Sequence, residues 1–228
     1  MKRALLVAAA LTAAAVLSVC ALAAKPVRMK LSRSDEYSVM TAYYPKTEYN
    51  SLNDAVRKHC IALIDDFKET AYPDEETLEI FKELDGKNEL LADYALTAAK
   101  NRFVGVKYDV LTYLIGAAHP VTAIDTITLD TKTGKLLEFS DVFKDTKESR
   151  EAISKLCKDA LLKQPDFEPL DFGDWISIGS KEQSSFIITD KGIEFWFNQG
   201  DIAPMASDVI CVELPYSALK PYMKLKIN

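Results

Sequence analysis

Between Arg102 and Phe143 the chain spells out most of a sheet. Phe103 to Ile115 is rich in Val, Tyr, Leu and Ile, as a central strand should be. Gly116-Ala117-Ala118-His119-Pro120 interrupts it, Asp125 to Leu129 resumes the alternation, and Thr131-Lys132-Thr133-Gly134-Lys135 closes a hairpin. Leu137 to Phe143 then leads through Asp141-Val142-Phe143 towards a helix. Upstream, Glu89 to Lys100 alternates imperfectly, which suits a strand with a partly covered second face, and Asn101-Arg102 turns it into the next. Leu91 to Leu129 is therefore expected to be an antiparallel meander.

The flanks supply the layers around this sheet. Residues 24–34 are basic and unpatterned and read as a leader. Glu36 to Tyr44 alternates, with Tyr37, Val39, Thr41 and Tyr43 on one face and Pro45 as its end. Asn50 or Ser51 can cap a helix whose face is Leu52, Ala55, Val56, His59, Cys60, Leu63 and Phe67. Tyr72-Pro73 breaks it, Asp74-Glu75-Glu76 can start a short helix through Phe81, and Asp85-Gly86-Lys87 is a turn. Asp145 or Thr146 can cap a second long helix, with Glu148 placed for a capping box from Asp145; Ile153, Leu156, Cys157, Ala160 and Leu161 form its face. Pro165 and Pro169 bound an irregular link. Ser185–Thr189 and Ile193–Phe197 make a hairpin, Asn198–Asp208 a polar loop, Val209–Leu214 a last strand and Pro215–Leu219 a short terminal helix. The fold class is α+β: a mostly antiparallel sheet with two amphipathic helices packed on one face. Residues 35–228 form one domain, with a strand-helix segment at 35–85 and the main sheet segment at 86–228.

Lys2-Arg3 followed by the uncharged run Ala4 to Ala24, with Ala21-Leu22-Ala23 at its end, is expected to be a signal peptide cleaved after Ala23. A retained anchor, and a lipoprotein through Cys20, are the weaker alternatives, since Val19 is not the small residue a lipoprotein signal needs. Removal would leave 205 of the 228 residues and, with Lys2 and Arg3 gone, 26 basic against 34 acidic side chains, a net charge of −8. An acidic exported domain of that kind repels nucleic acid and anionic lipid and favours a basic partner, and no stable membrane insertion is expected once the signal is gone. Cys60, Cys157 and Cys211 are too few for a disulfide scaffold. Cys60 and Cys157 both lie on inward helix faces, so a bridge between the helices and plain burial are both open.

Two stretches stand out as candidate contact sites. In Gly116, Ala117, Ala118, His119 and Pro120 small residues allow a bend, and His119 can either bind a ligand or tie the bend to the sheet. Asn198, Gln199, Asp201, Pro204 and Met205 form a polar loop with apolar neighbours that can be a partner-contact tip or a solvated connection. Asp65-Asp66 and Asp74-Glu75-Glu76 read as helix-surface and helix-start charges rather than an acid–base pair. No nucleophile elbow, metalloprotease motif, P-loop or dinucleotide fingerprint occurs, and His59, on an apolar helix face, has no companion at metal-ligand spacing. Catalytic residues, a metal and a cofactor are not expected.

The order Gly116 to Pro120, strand, Asp130-Thr131-Lys132-Thr133-Gly134-Lys135 turn and Leu137 to Phe143, then Phe195-rich strand, Ile202-Ala203-Pro204 loop and Pro215-Tyr216 end, resembles a family of bacterial envelope domains of uncharacterised activity. That family carries a Gly-Gly-Ala-His-Gly-like break, from which Ala117 and Pro120 depart, so a loop that cradles anions is not expected. Its fold unit forms the extracellular part of a lysozyme-binding anti-sigma factor and accompanies some peptidoglycan deacetylases. The resemblance implies a non-catalytic binding domain in the periplasm or outside the cell, with a lysozyme-like basic protein as partner. An enzyme or accessory domain acting on a glycan, and a structural envelope protein, are the alternatives it leaves.

Overall fold

The structure is a computed structural model that describes Leu22, residues 24–74, Leu78, Glu79, Phe81, Glu83, Leu84, residues 86–170 and residues 185–227. The signal segment therefore lies outside it except for Leu22, as do most of the helix start at Glu75-Glu76 and Asp85 of the expected turn. Six strands form one sheet in the order β1 (Val27–Ser34), β2 (Ser38–Lys46), β3 (Asn88–Ala99), β4 (Phe103–Tyr113), β5 (Val121–Asp130) and β6 (Lys135–Leu136). All neighbours are antiparallel except β2 and β3, which α1 (Asn50–Thr70) joins as a parallel crossover unit. A second sheet of β7 (Phe186–Ile188), β8 (Gly192–Phe197) and β9 (Ile210–Pro215) follows α2 (Phe139–Val142) and α3 (Lys147–Leu161), and α4 (Tyr216–Leu219) follows β9. The α+β class and the β3–β5 meander are thus as read from the sequence.

The two sheets meet over β4. Val104, Val106, Tyr108 and Val110 point to one side, where α1 buries Leu52, Val56, Cys60, Ile64 and Phe67 against them. Phe103, Gly105 and Lys107 point to the other. There Ile187 of β7 packs over Gly105, and Lys107 Nζ sits 4.5 Å from the centre of the Trp196 ring on β8. A second core lies on the far side of the small sheet, where Ile153, Cys157 and Leu161 of α3 meet Phe186, Phe195, Phe197 and Val212. The two long helices are therefore shared out, one to each sheet, rather than lying together: α3 follows β6 in the chain and meets an apolar face only on β7–β9. For the same reason Cys60 and Cys157 are free thiols in different cores, and the bridge that two inward helix faces allowed is not formed.

Two local expectations are corrected. Residues 27–34 are not a leader but strand β1, paired with β2 along its whole length, with Met29 and Leu31 against the first core. Pro45 does not end β2. It lies past Ala42, the last residue paired with β3, so its missing N–H breaks no bond to that neighbour. Of the two caps expected for α3, Thr146 serves rather than Asp145, its hydroxyl accepting the Ser149 N–H at 3.2 Å.

Candidate functional site

The two candidate loops lie side by side at one end of the large sheet. Leu114 to Pro120 links β4 to β5. It bends at Gly116, whose φ of +86° is a conformation glycine adopts without strain, and the Ala117 N–H donates to the Leu114 carbonyl at 2.9 Å. Val121 then opens β5, and the next residue carries the join. The Thr122 N–H donates to Gln199 Oε1 at 3.0 Å, and the Gln199 N–H returns a bond to the Thr122 carbonyl at 3.3 Å. Asn198 Oδ1 accepts the Ile124 N–H at 2.8 Å, and the Ser185 hydroxyl donates to the Ile124 carbonyl at 2.8 Å. β6 reaches β5 only at Leu129 and Asp130, so these side chains supply the bonds that a neighbouring strand would have made.

Of the candidate residues, Asn198 and Gln199 are therefore committed to β5, and Gln199 Nε2 also donates to the Met205 carbonyl at 2.6 Å. Asp201 accepts the Asn198 N–H at 2.8 Å and closes the turn, while Pro204 is half-buried. Gly116, Ala117, Ala118 and His119 are exposed and Pro120 half-buried, and His119 Nδ1 lies 3.1 Å from the adjacent Pro120 carbonyl. Four large apolar side chains of this region also reach solvent: Leu114 (46 % exposed), Met205 (43 %), Leu84 (38 %) and Val121 (37 %). Glu83, next to Leu84 in the chain, Glu89, paired with Tyr113, and Asp208 are exposed as well. Such a surface can make contacts but shows no converging acid, base and nucleophile. Among the described residues no group of three or more His, Cys, Asp or Glu could hold a metal ion.

Asn88, which the sequence did not single out, holds this end to the rest of the fold. It is 2 % exposed; its Nδ2 donates to the Ala71 carbonyl at the end of α1 (2.6 Å), and its Oδ1 accepts the Ile115 N–H (2.8 Å). A single asparagine at a strand start carries no sequence signal, because its two partners are 17 and 27 residues away.

A second polar group lies under α1. His59 Nε2 is 3.4 Å from Asp125 Oδ2 on β5, and its ring centre is 4.8 Å from that of Tyr108 on β4. The Cys60 thiol lies 3.7 Å from the Tyr108 hydroxyl. Burial holds the His59 pKa below its ordinary value, with Asp125 pulling the other way, and burial pushes the Tyr108 phenol far up.

Residues 140–217 match the family model described as a protein of unknown function, DUF3298. The matched stretch runs from α2 to the start of α4, so it takes in the second core and not the Gly116–Pro120 loop. Among curated proteins none matches the chain. Solved structures that share the fold include two of this family. One is a member of the DUF3298 family from Bacteroides fragilis, 16 % identical, with a TM-score of 0.61 over 90 % of this chain and 95 % of that one. The other is a DUF3298 family protein from Pseudomonas aeruginosa, 13 % identical, with a TM-score of 0.57 over 88 % and 93 %. Among the described residues no helix is long and apolar enough to cross a membrane.

Proposed function

We propose that this chain is an exported, non-catalytic binding domain that presents the Leu84, Leu114, Val121 and Met205 rim to a basic protein. The observation that carries the reading is that Gln199 bonds to Thr122 at the start of β5, directly after the Leu114–Pro120 loop, and that four large apolar side chains of this region, Leu84, Leu114, Val121 and Met205, stand in solvent. Acidic Glu83, Glu89 and Asp208 of this region, and the net −8 of the chain without Lys2 and Arg3, favour a cationic partner by steering and rim contacts. The resemblance to the lysozyme-binding envelope domain makes a c-type lysozyme the first partner to try, and the leading apolar run supports export.

Calorimetric titration of the purified protein with a c-type lysozyme, at low and moderate salt, tests this. Saturable one-to-one binding that survives moderate salt and weakens at least about tenfold in a Leu114→Asp, Met205→Asp variant supports it. Heat that vanishes with salt removes lysozyme as the partner, and binding indifferent to the variant removes the rim as the contact surface.

A further inference from the structure

Nε2 of His59 is the one buried side-chain polar atom without a hydrogen-bond partner among the described residues. Buried polar atoms are nearly always bonded, so an exception under the main helix calls for a role. Asp125 Oδ2 stands 3.4 Å away but outside hydrogen-bond geometry, and its side chain is 44 % exposed, so much of its charge is spent on water. Among the described residues Asp125 is the one charged group that bears on the imidazole. β4 contributes the neutral phenol of Tyr108 and β3 that of Tyr94, whose ring is 6.4 Å from the Tyr108 ring. On α1 itself the neighbouring Cys60 thiol is turned to Tyr108.

We infer that His59 makes the seat of α1 on the large sheet acid-labile, and that this lability reaches the loop end through Asn88. Taking up a proton places an imidazolium in a site built for the neutral ring, and the site is relieved when α1 lifts from β4 and β5. α1 ends at Thr70, and the Ala71 carbonyl beyond it holds Asn88, which in turn holds the Ile115 N–H at the base of the Leu114–Pro120 loop. Loosening the helix therefore releases the loop. The core between α3 and the small sheet lies on the other side of the large sheet and keeps its packing. The sign follows from the lowered folded-state pKa. Neutral His59 supports the fold above the ordinary imidazole value of 6.5, and that support drains away as pH falls from there towards the lower folded-state value.

The test is NMR on the full chain between pH 8 and 5, and it needs no ligand, so it stands or falls apart from the rim's binding role. The His59 imidazole is expected to titrate below 6.5. Exchange of the Ile64 and Ile115 amides, corrected for intrinsic rates, should rise on acidification by about tenfold for each pH unit between 6.5 and that midpoint. The Phe195 amide should hold its rate, and His59→Gln should flatten the Ile64 and Ile115 response. A His59 midpoint at or above 6.5 overturns the inference, as does an unchanged response in His59→Gln. Should that variant fail to fold, the wild-type midpoint and the contrast between Ile64 and Phe195 decide alone.

Discussion

Gly105 on β4 and Ile187 on β7 define how closely the two sheets approach. A Cβ on Gly105 would stand 2.8 Å from Ile187 Cδ1 and 3.1 Å from its Cγ2, closer than carbon atoms pack. Gly105→Ala should therefore destabilise the protein by about 1–3 kcal/mol in urea denaturation, with Ile187→Val restoring part of the loss in the double variant. A Gly105→Ala protein as stable as the wild type would mean that the two sheets do not meet there.

Arg102 and Asp130 form the best-buried ion pair described. Arg102 Nε and Nη2 grip the two carboxylate oxygens at 2.9 and 2.7 Å, and the Asp130 side chain is 2 % exposed. Arg102→Ala leaves that carboxylate buried without its cation and should cost about 3–5 kcal/mol, and Arg102→Lys, which loses the fork, should fall between. The Arg102 guanidinium beside it holds the Asp130 carboxyl below its usual 3.8. The pair's contribution is thus present above that value and lost as pH falls through the lower folded-state one. Stability measured from pH 5 down to 2 should show this loss in the wild type and a shallower one in Arg102→Ala.

Asn198 should matter for the sheet edge more than for any ligand. Asn198→Ala removes the acceptor of the Ile124 N–H, a residue only 2 % exposed, and should cost about 1–3 kcal/mol. The Ile124 amide should then exchange faster in deuterium. Unchanged protection at Ile124 would show that the side chain is not the edge's partner.

The thiols should be slow to react. Burial raises the Cys60 and Cys157 pKa values and pushes Cys211 up to about 12, so none presents thiolate near pH 8. Native protein should take up iodoacetamide slowly at Cys60, Cys157 and Cys211, while protein unfolded without reductant should be alkylated at all three. Failure of any two to react after unfolding would reveal a bridge.

What could be seen in the sequence was what is local. The β3–β5 meander, the faces of α1 and α3, and the hairpin around Asp190-Lys191-Gly192 rest on periodicities and turns spanning a few residues, and the structure has them. β1 was also legible, since Val27, Met29 and Leu31 alternate with Arg28, Lys30 and Ser32, but its basic charge outweighed that alternation. The rest depended on contacts between distant residues. Nothing near Cys60 or Cys157 tells which sheet each helix covers. The bonds of Asn198 and Gln199 to β5 join residues more than 70 apart, so a loop that looked free for a partner is half used up inside the fold. That the 198–208 loop would be stitched to the start of β5, beside the Leu114–Pro120 loop, had no local signal.

The closure of β5 also bears on how copies of this protein can associate. An endless ribbon of large sheets requires every molecule to offer a templating edge on both sides. Here one side is stoppered by Asn198, Gln199 and Ser185, and β6 beyond them is two residues long. Among the described residues only β1 is left to recruit, and its exposed Arg28 and Arg33 are tied to Asp93 and Asp65 of the same chain. Growth along the hydrogen-bonding direction of that sheet would halt at two molecules.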